Sequence, residues 1–265
     1  MKAATILPQN LLHLVHGQDY HLCLAHLINK PGMELYTDFY KGIGADESKY
    51  LIMDNGLIEG DPRPISELIS KAIELNADEL VLPDVFTNGP ATITAVADAL
   101  EYVNEHMTQH QYHKPLKFMA VAQGRTIDEW VDCALTLIDL GVDVIGVPKV
   151  LCSIAGPNGR LKALSRLCDK APRLDVEFHL LGCWDTPLEV LAVEKAAQAG
   201  DIPLVRGTDS AIAYVYSRNN VKITDQTRPE SNPIDFAKGT ASILLLAENI
   251  KEWVSCAHGV HANQI

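Results

Sequence analysis

Short apolar runs alternate with longer amphipathic segments along most of the chain. The runs are rich in Val, Ile, Leu and Phe, and several end in Gly, Pro, Asn or Asp, which is typical of buried strands. The pattern predicts seven strands, at residues 21–28, 50–54, 79–84, 117–124, 142–148, 176–182 and 203–209. Residues 220–224, with the sequence NVKIT, are the candidate for an eighth strand.

The segments between these runs repeat apolar residues at helical spacing. Pro64 suits the first turn of a helix, Thr126 followed by Glu129 forms a capping box, and Gly200 stands where a helix stops. Helices are therefore predicted at residues 64–77, 90–106, 126–141, 161–170, 186–200 and 233–254.

Alternating strands and helices predict a parallel sheet that is covered on both faces. At least seven such units in 265 residues favour closure into a (β/α)8 TIM-type barrel rather than an open sheet. No glycine-rich dinucleotide fingerprint follows the first strand. We therefore expect a single α/β barrel domain over residues 1–265, with the strand-helix units at about 20–255.

Composition narrows the class of protein. The sequence is 47% apolar and 21% charged, which is ordinary for a globular protein, and it shows neither a signal peptide nor a transmembrane segment. Its six cysteines form no CxxC or CxC motif, so we expect reduced packing thiols and no metal or other cofactor. A cytoplasmic location, with no membrane partner, is expected.

The formal net charge of −12 opposes nonspecific attraction to a polyphosphate. A protein of this charge that binds nucleic acid must do so through a local basic surface. The sequence leaves the oligomeric state open, and a homo-oligomer is one of the alternatives.

Polar residues and glycines stand at the carboxyl ends of the predicted strands, where barrel enzymes form their active sites. Each has an ordinary explanation as well, since Asp and Gly also begin turns and cap helices. Independent turns would not all select one end of the barrel, so their joint occurrence favours a site. These residues are Asp54, Asp84, Gln123, Gly146, Gly182 and Asp209.

Six segments carry a resemblance to a known family. In chain order they are IMDNGLIE, LVLPDV, FMAVAQG, VIGVPK, LLGCWDTPLEVL and RGTDSAIAYVYS. As an ordered set they resemble the active-site segments of the tRNA-guanine transglycosylase superfamily. The sequence is most similar to the short zinc-free members found in phages, which are 7-deazaguanine transglycosylases regarded as acting on DNA. The host cytoplasm is then the implied location.

The resemblance implies a role for each matching residue. Asp209 matches the aspartate nucleophile that attacks the sugar C1′, and Asp54 matches the aspartate that acts as general acid and base. Asp84 and Gln123 match the groups that hold the purine edge, and Gly146 matches the glycine whose backbone touches the base. The implied partners are a free 7-deazaguanine base and a polynucleotide.

Two departures from the family bear on the substrate. The cysteine-rich zinc site of the tRNA enzymes is missing, and their TDSGGFQ-like segment is only half kept as MDNGLIE. Both departures favour DNA over tRNA, although a queuine-type tRNA-guanine transglycosylase stays an alternative. Neither affects the base-exchange chemistry.

Four cations lie at or just after strand ends and are expected to form a phosphate-binding rim. They are Arg125, Lys149, Arg206 and Arg218, and Gly182 is expected to line the substrate pocket beside them.

Two further classes of function stay open. Lys149 could form the Schiff base of a barrel lyase or aldolase, which requires a desolvated lysine. A barrel without catalytic activity could serve as a binding protein. His179 lies inside the sixth predicted strand and is expected to be a satisfied core histidine rather than a metal ligand.

Overall fold

The computed structural model describes residues 1–57, 60, 63–106, 114–183, 185–225, 229–230 and 232–260. Eight strands form one parallel sheet. They are β1 (Lys2–Thr5), β2 (Tyr20–Leu24), β3 (Tyr50–Asp54), β4 (Glu79–Val81), β5 (Lys117–Val121), β6 (Val144–Pro148), β7 (Glu177–Leu181) and β8 (Val205–Ser210).

The sheet curls into a nearly closed barrel. Hydrogen-bonded neighbours follow the order β1-β8-β7-β6-β5-β4-β3-β2, and β1 and β2 approach each other at the seam. The predicted single-domain (β/α)8 barrel is thus confirmed. In this order β4 and β8 lie on opposite sides of the barrel, four strands apart by either route.

The predicted eighth strand was wrong. The eighth strand is the N-terminal β1, which pairs with β8 from Lys2↔Gly207 to Thr5↔Ser210. Residues 220–224 end a helix instead: Asn220 has a positive φ of 55°, and the Val221 amide donates to the carbonyl of Tyr216. A 3-10 turn follows, at Ile223–Asp225.

Nine helices are seen in the described residues. They are α1 (Glu34–Gly44), α2 (Ile65–Glu74), α3 (Gly89–His106), α4 (Ile127–Asp139), α5 (Val150–Ala155), α6 (Gly159–Lys170), α7 (Leu188–Ala199), α8 (Ile212–Arg218) and α9 (Ile243–Ala257).

The predicted helix signals are present where they were expected. The Thr126 hydroxyl accepts from the amide of Glu129 at 3.1 Å and so caps α4. Gly200 ends α7 in the left-handed conformation, with a φ of 81°.

The last predicted helix, residues 233–254, begins ten residues late. Ser242 caps α9 at Ile243, and the preceding segment makes turns and long-range contacts instead. The Asp235 carboxylate accepts from the amide of Ala237. The Asn10 side chain donates to the backbone carbonyl of Gly239 and accepts from its backbone amide. These contacts satisfy the backbone without helical hydrogen bonds.

A buried apolar core fills the space between the sheet and the helices. All six cysteines are free thiols, and all but Cys168 are buried. Within the described part of the chain, no helix has the length and hydrophobicity needed to cross a bilayer.

Candidate active site

Asp209 lies near the carboxyl end of β8 and is only 5% exposed. His179 on β7 contacts its Oδ1 through Nε2 at 3.0 Å, and the Gly182 amide donates to the same oxygen at 3.4 Å. The other ring nitrogen of His179 lies 2.9 Å from the hydroxyl of Tyr20 on β2. A buried carboxylate is thereby held in one orientation by a histidine from the adjacent strand and by a backbone amide.

Asp84 and Gln123 form a second polar cluster, on the opposite side of the barrel. Gln123 donates from Nε2 to Oδ2 of Asp84 at 2.6 Å, and Asn55 donates from Nδ2 to Oδ1 at 2.8 Å. Desolvation raises the pKa of Asp84 to about 6, although both hydrogen bonds favour the ionised form. The carboxylate is therefore ionised at neutral pH and becomes protonated in mild acid.

The loop that follows Asp84 is fixed by hydrogen bonds but exposes apolar side chains. The Thr92 hydroxyl contacts both the amide and the carbonyl of Val85, and the Thr87 amide donates to Oε1 of Gln123 at 3.0 Å. Thr87 has a φ of 56°, a strained value for a β-branched residue. Phe86 is 49% exposed between these anchored residues.

Gln123 has less freedom than its residue type suggests. Its Oε1 accepts from Thr87 and one N–H donates to Asp84, so its second N–H has no acceptor among the described residues and can serve a ligand.

Asp54 is the last residue of β3, as the sequence predicted. Its Oδ2 accepts from the Gly56 amide at 3.1 Å, and Asn55 Oδ1 accepts from the Leu57 amide at 2.9 Å. Both are Asx-type turns, so Asp54 has an ordinary role in a turn whether or not it also acts in catalysis. The rest of this segment, residues 58 and 59, lies outside the described residues, as does residue 184.

A side chain added at Gly146 or Gly182 would press on a neighbouring side chain, which would have to move. A Cβ on Gly146, in the middle of β6, would lie 2.8 Å from Cδ1 of Leu181. Gly182 follows β7 with a positive φ of 69°, and a Cβ there would lie 2.9 Å from Cδ of Lys149. Gly182 thus lets the Lys149 stem cross the backbone that donates to Asp209.

A buried ion pair, which sequence reasoning did not find, supports this part of the site. Arg160 on α6 is fully buried and pairs with Glu189 on α7 through two nitrogens. Its Nη1 also donates to the Gly182 carbonyl at 2.9 Å. Arg160 therefore fixes the backbone next to Asp209 from behind the sheet.

The predicted basic rim is only partly present. Arg125 follows β5 and is exposed, and Lys149 follows β6 and makes no ion pair with any residue that the structure describes. Arg218 ends α8 and donates to the carbonyls of Asn232 and Pro233. Its guanidinium is thus partly occupied by the protein.

Arg206 does not belong to the rim, which corrects the prediction. It is the second residue of β8, near the amino end of the barrel, beside a register shift between β7 and β8. It donates to Glu79 at 2.7 and 2.9 Å and to Glu177 at 3.1 Å. Glu79 and Glu177 are the first residues of β4 and β7, so Arg206 neutralises carboxylates at the end of the barrel opposite the mouth.

His179 and Tyr20 are the site residues that sequence reasoning missed. His179 was predicted to be a satisfied core histidine, and it is fully buried, but its partner is the candidate nucleophile. The available signal was a polar residue inside an apolar strand, three residues before a strand-end glycine.

Among the residues that the structure describes, no three His, Cys, Asp or Glu side chains are grouped to hold a metal ion.

Comparison with known proteins shows the fold alone. No protein-family model and no curated protein matches the sequence. D-psicose 3-epimerase from Clostridium cellulolyticum H10 superposes with a TM-score of 0.53 at 10% identity, covering 98% of this chain and 99% of its own. The putative copper homeostasis protein CutC from Streptococcus agalactiae has a TM-score of 0.50 at 12% identity, covering 80% and 99%. At such identity these proteins share a barrel with this chain and carry no further information about its chemistry.

Proposed function

We propose that the protein is a transglycosylase that exchanges guanine for a 7-deazaguanine base in a polynucleotide, with DNA preferred over tRNA. The observation that carries the proposal is the arrangement of carboxylates around the mouth. A buried and oriented Asp209 lies across the barrel from the hydrogen-bonded Asp84–Gln123 pair. One side of the mouth can therefore hold a base while the other reacts with its sugar.

Base exchange needs a nucleophile and a separate proton donor. Asp209 attacks C1′ as the bond from C1′ to guanine N9 breaks, and the electron pair leaves with guanine. Asp54 protonates the departing base and later takes the proton from the incoming 7-deazaguanine, whose nitrogen then displaces Asp209. Two carboxylates, one ionised and one carrying a proton, perform both halves of the reaction.

Guanine recognition follows from hydrogen-bonding capacity. The Watson–Crick edge of guanine offers N–H donors, and the Asp84 carboxylate keeps unused lone pairs beyond those that Asn55 and Gln123 occupy. The free N–H of Gln123 can donate to the guanine carbonyl. A base without these N–H groups would leave the remaining lone pairs of Asp84 without a donor.

A base inside a duplex must leave the stack to enter this pocket. Phe86 offers an exposed aromatic face beside Asp84, suited to stacking against a displaced base. Arg125 and Lys149 supply positive charge after neighbouring strands, where phosphates would approach. These features support polynucleotide binding despite the net charge of −12.

The test is exchange of labelled guanine into DNA and into tRNA, run in parallel. Asp209→Asn keeps the size of the side chain and should abolish exchange with little change in the melting temperature. Asp38→Asn, an exposed carboxylate on α1, is the matched control and should retain full activity. Exchange at the wild-type rate by Asp209→Asn would refute the assignment, and an absence of exchange in the wild type on both polymers would favour a binding protein.

A barrel lyase or aldolase is the second candidate, because Lys149 is at the mouth, unpaired among the described residues, with its stem against Gly182. A Schiff-base mechanism predicts that borohydride traps a carbonyl substrate on Lys149. The transglycosylase predicts no such adduct.

A further inference from the structure

We propose that Tyr20 and His179 select which oxygen of Asp209 reacts. They hold the carboxylate through Oδ1, with the proton of His179 on Nε2, and leave Oδ2 as the attacking atom. His179 is then a positioning residue for the nucleophile. The inference rests on the proposed function for its chemical consequence, whereas the hydrogen-bond chain itself can be tested separately.

The direction of this hydrogen-bond chain follows from its carboxylate end. The oxygens of an ionised Asp209 can only accept, so Nε2 of His179, 3.0 Å from Oδ1, carries the proton of that contact. Burial raises the pKa of Tyr20 above its ordinary value, so the phenol keeps its proton. The Tyr20 O–H can therefore donate to Nδ1 of His179, which lies 2.9 Å from the Tyr20 oxygen.

The tautomer of His179 is then determined by its two neighbours. An Nδ1 that accepts from Tyr20 carries no proton, so a neutral imidazole has its proton on Nε2. This N–H points to Oδ1 of Asp209 at 3.0 Å, and the Gly182 amide reaches the same oxygen at 3.4 Å. Oδ2 accepts no hydrogen bond from the residues that the structure describes.

The backbone is shaped to admit this chain. A Cβ on Gly207, two residues before Asp209, would lie 2.7 Å from the Tyr20 ring and hydroxyl. Tyr20 also stacks on Tyr50 with ring centroids 5.5 Å apart, which keeps its hydroxyl directed at His179. The space beside β8 is thus fitted to one aromatic side chain.

The chemical consequence concerns geometry and moves no additional proton. The bond from Oδ2 to C1′ forms as the bond from C1′ to guanine N9 breaks, and Oδ1 becomes the ester carbonyl oxygen. His179 keeps its Nε2 proton throughout. Because Oδ1 is tied on one side, the plane of the carboxylate is fixed and Oδ2 faces the mouth before the sugar arrives.

The first experiment reads the tautomer without any substrate, by ¹⁵N NMR of the histidine ring. In the wild type the His179 signals should show a protonated Nε2 and a bare Nδ1. Tyr20→Phe should raise the fraction protonated on Nδ1, because Nδ1 loses its donor. A protonated Nδ1 in the wild type, or no change in Tyr20→Phe, would overturn the proposal whatever reaction the protein catalyses.

The second experiment measures the rate at which the covalent protein–DNA adduct forms in a single turnover, with folding checked by circular dichroism. His179→Leu should slow adduct formation by about 10- to 100-fold, which is the value of one hydrogen bond to a charged group. His179→Gln, which restores an N–H, should recover much of this loss, and KM should change little in either variant. His21→Leu, a buried histidine bonded to the Gln18 carbonyl, is the control and should react like the wild type.

An unchanged rate in His179→Leu, or an equal loss in a folded His179→Gln, would overturn the role of the Nε2 proton. Failure of the wild type to form any adduct would instead refute the transglycosylase, and the tautomer measurement would still decide the hydrogen-bond chain.

Discussion

Replacing Arg206 by Met tests whether this cation is structural or binds phosphate. Arg206 is 15% exposed and contacts both carboxylate oxygens of Glu79, whose side chain is 0% exposed. In the variant, Glu79 would keep the Tyr50 hydroxyl at 2.6 Å but would lose its counter-charge. A buried carboxylate that is left without its cation is strongly destabilising, because its desolvation is no longer compensated.

The expected loss is about 3–5 kcal/mol of unfolding free energy, since one partner of a buried pair is removed and the other stays. For a chain of this size the melting temperature should fall by roughly 6–20 °C, at about 2–4 °C for each kcal/mol. Adding Glu79→Gln should restore much of the loss, because no bare charge then stays buried.

Urea unfolding followed by tryptophan fluorescence measures these changes. Arg166→Met is the matched control, since its pair with Asp128 is exposed by 48% and 65%, and it should lose at most about 1 kcal/mol. If Arg206→Met kept the stability of the wild type but weakened the salt dependence of DNA binding, the placement of Arg206 away from the rim would be wrong.

Three more outcomes are expected. The affinity for the free base should fall as the pH drops below about 6. Burial raises the pKa of Asp84 to about 6, and its carboxylate must be ionised to accept from guanine. The pH dependence should be absent in Asp84→Asn. Replacing Arg125 and Lys149 by Gln should reduce the slope of log DNA affinity against log salt by about two, whereas Lys41 and Lys170, on helix ends far from the mouth, should leave it unchanged when replaced. Dialysis against a strong chelator should leave the melting temperature and exchange activity intact, and activity that returned only with added zinc would contradict this.

Local sequence signals account for most of the barrel. Seven strands and the caps at Thr126 and Gly200 were readable because side-chain period and capping depend on residues close in the chain. The same reasoning found the polar strand ends, and Asp84 and Gln123 proved to be in direct contact at 2.6 Å.

The sequence predicted the candidate site only in part, because the contacts between its residues depend on the register of the strands. His179 was visible as a polar residue, but its contact with Asp209 depends on the pairing of β7 with β8 and on both side chains pointing inward. Arg206 was counted among the cations at strand ends, although it stands inside the predicted strand at residues 203–209. The strand begins at Val205, which places Arg206 at the amino end.

By itself, the sequence determined the alternation of strands and helices, the barrel class and the carboxylates at the strand ends. Each of these features depends on residues that are only a few positions apart. Only the tertiary structure decided which segment closes the barrel, which cation is buried and which side chain holds Asp209. Lys2 pairs with Gly207, and Arg206 forms a salt bridge with Glu79 at the amino end of the barrel. Contacts between residues so distant in the chain depend on strand order and register, which a local pattern does not encode.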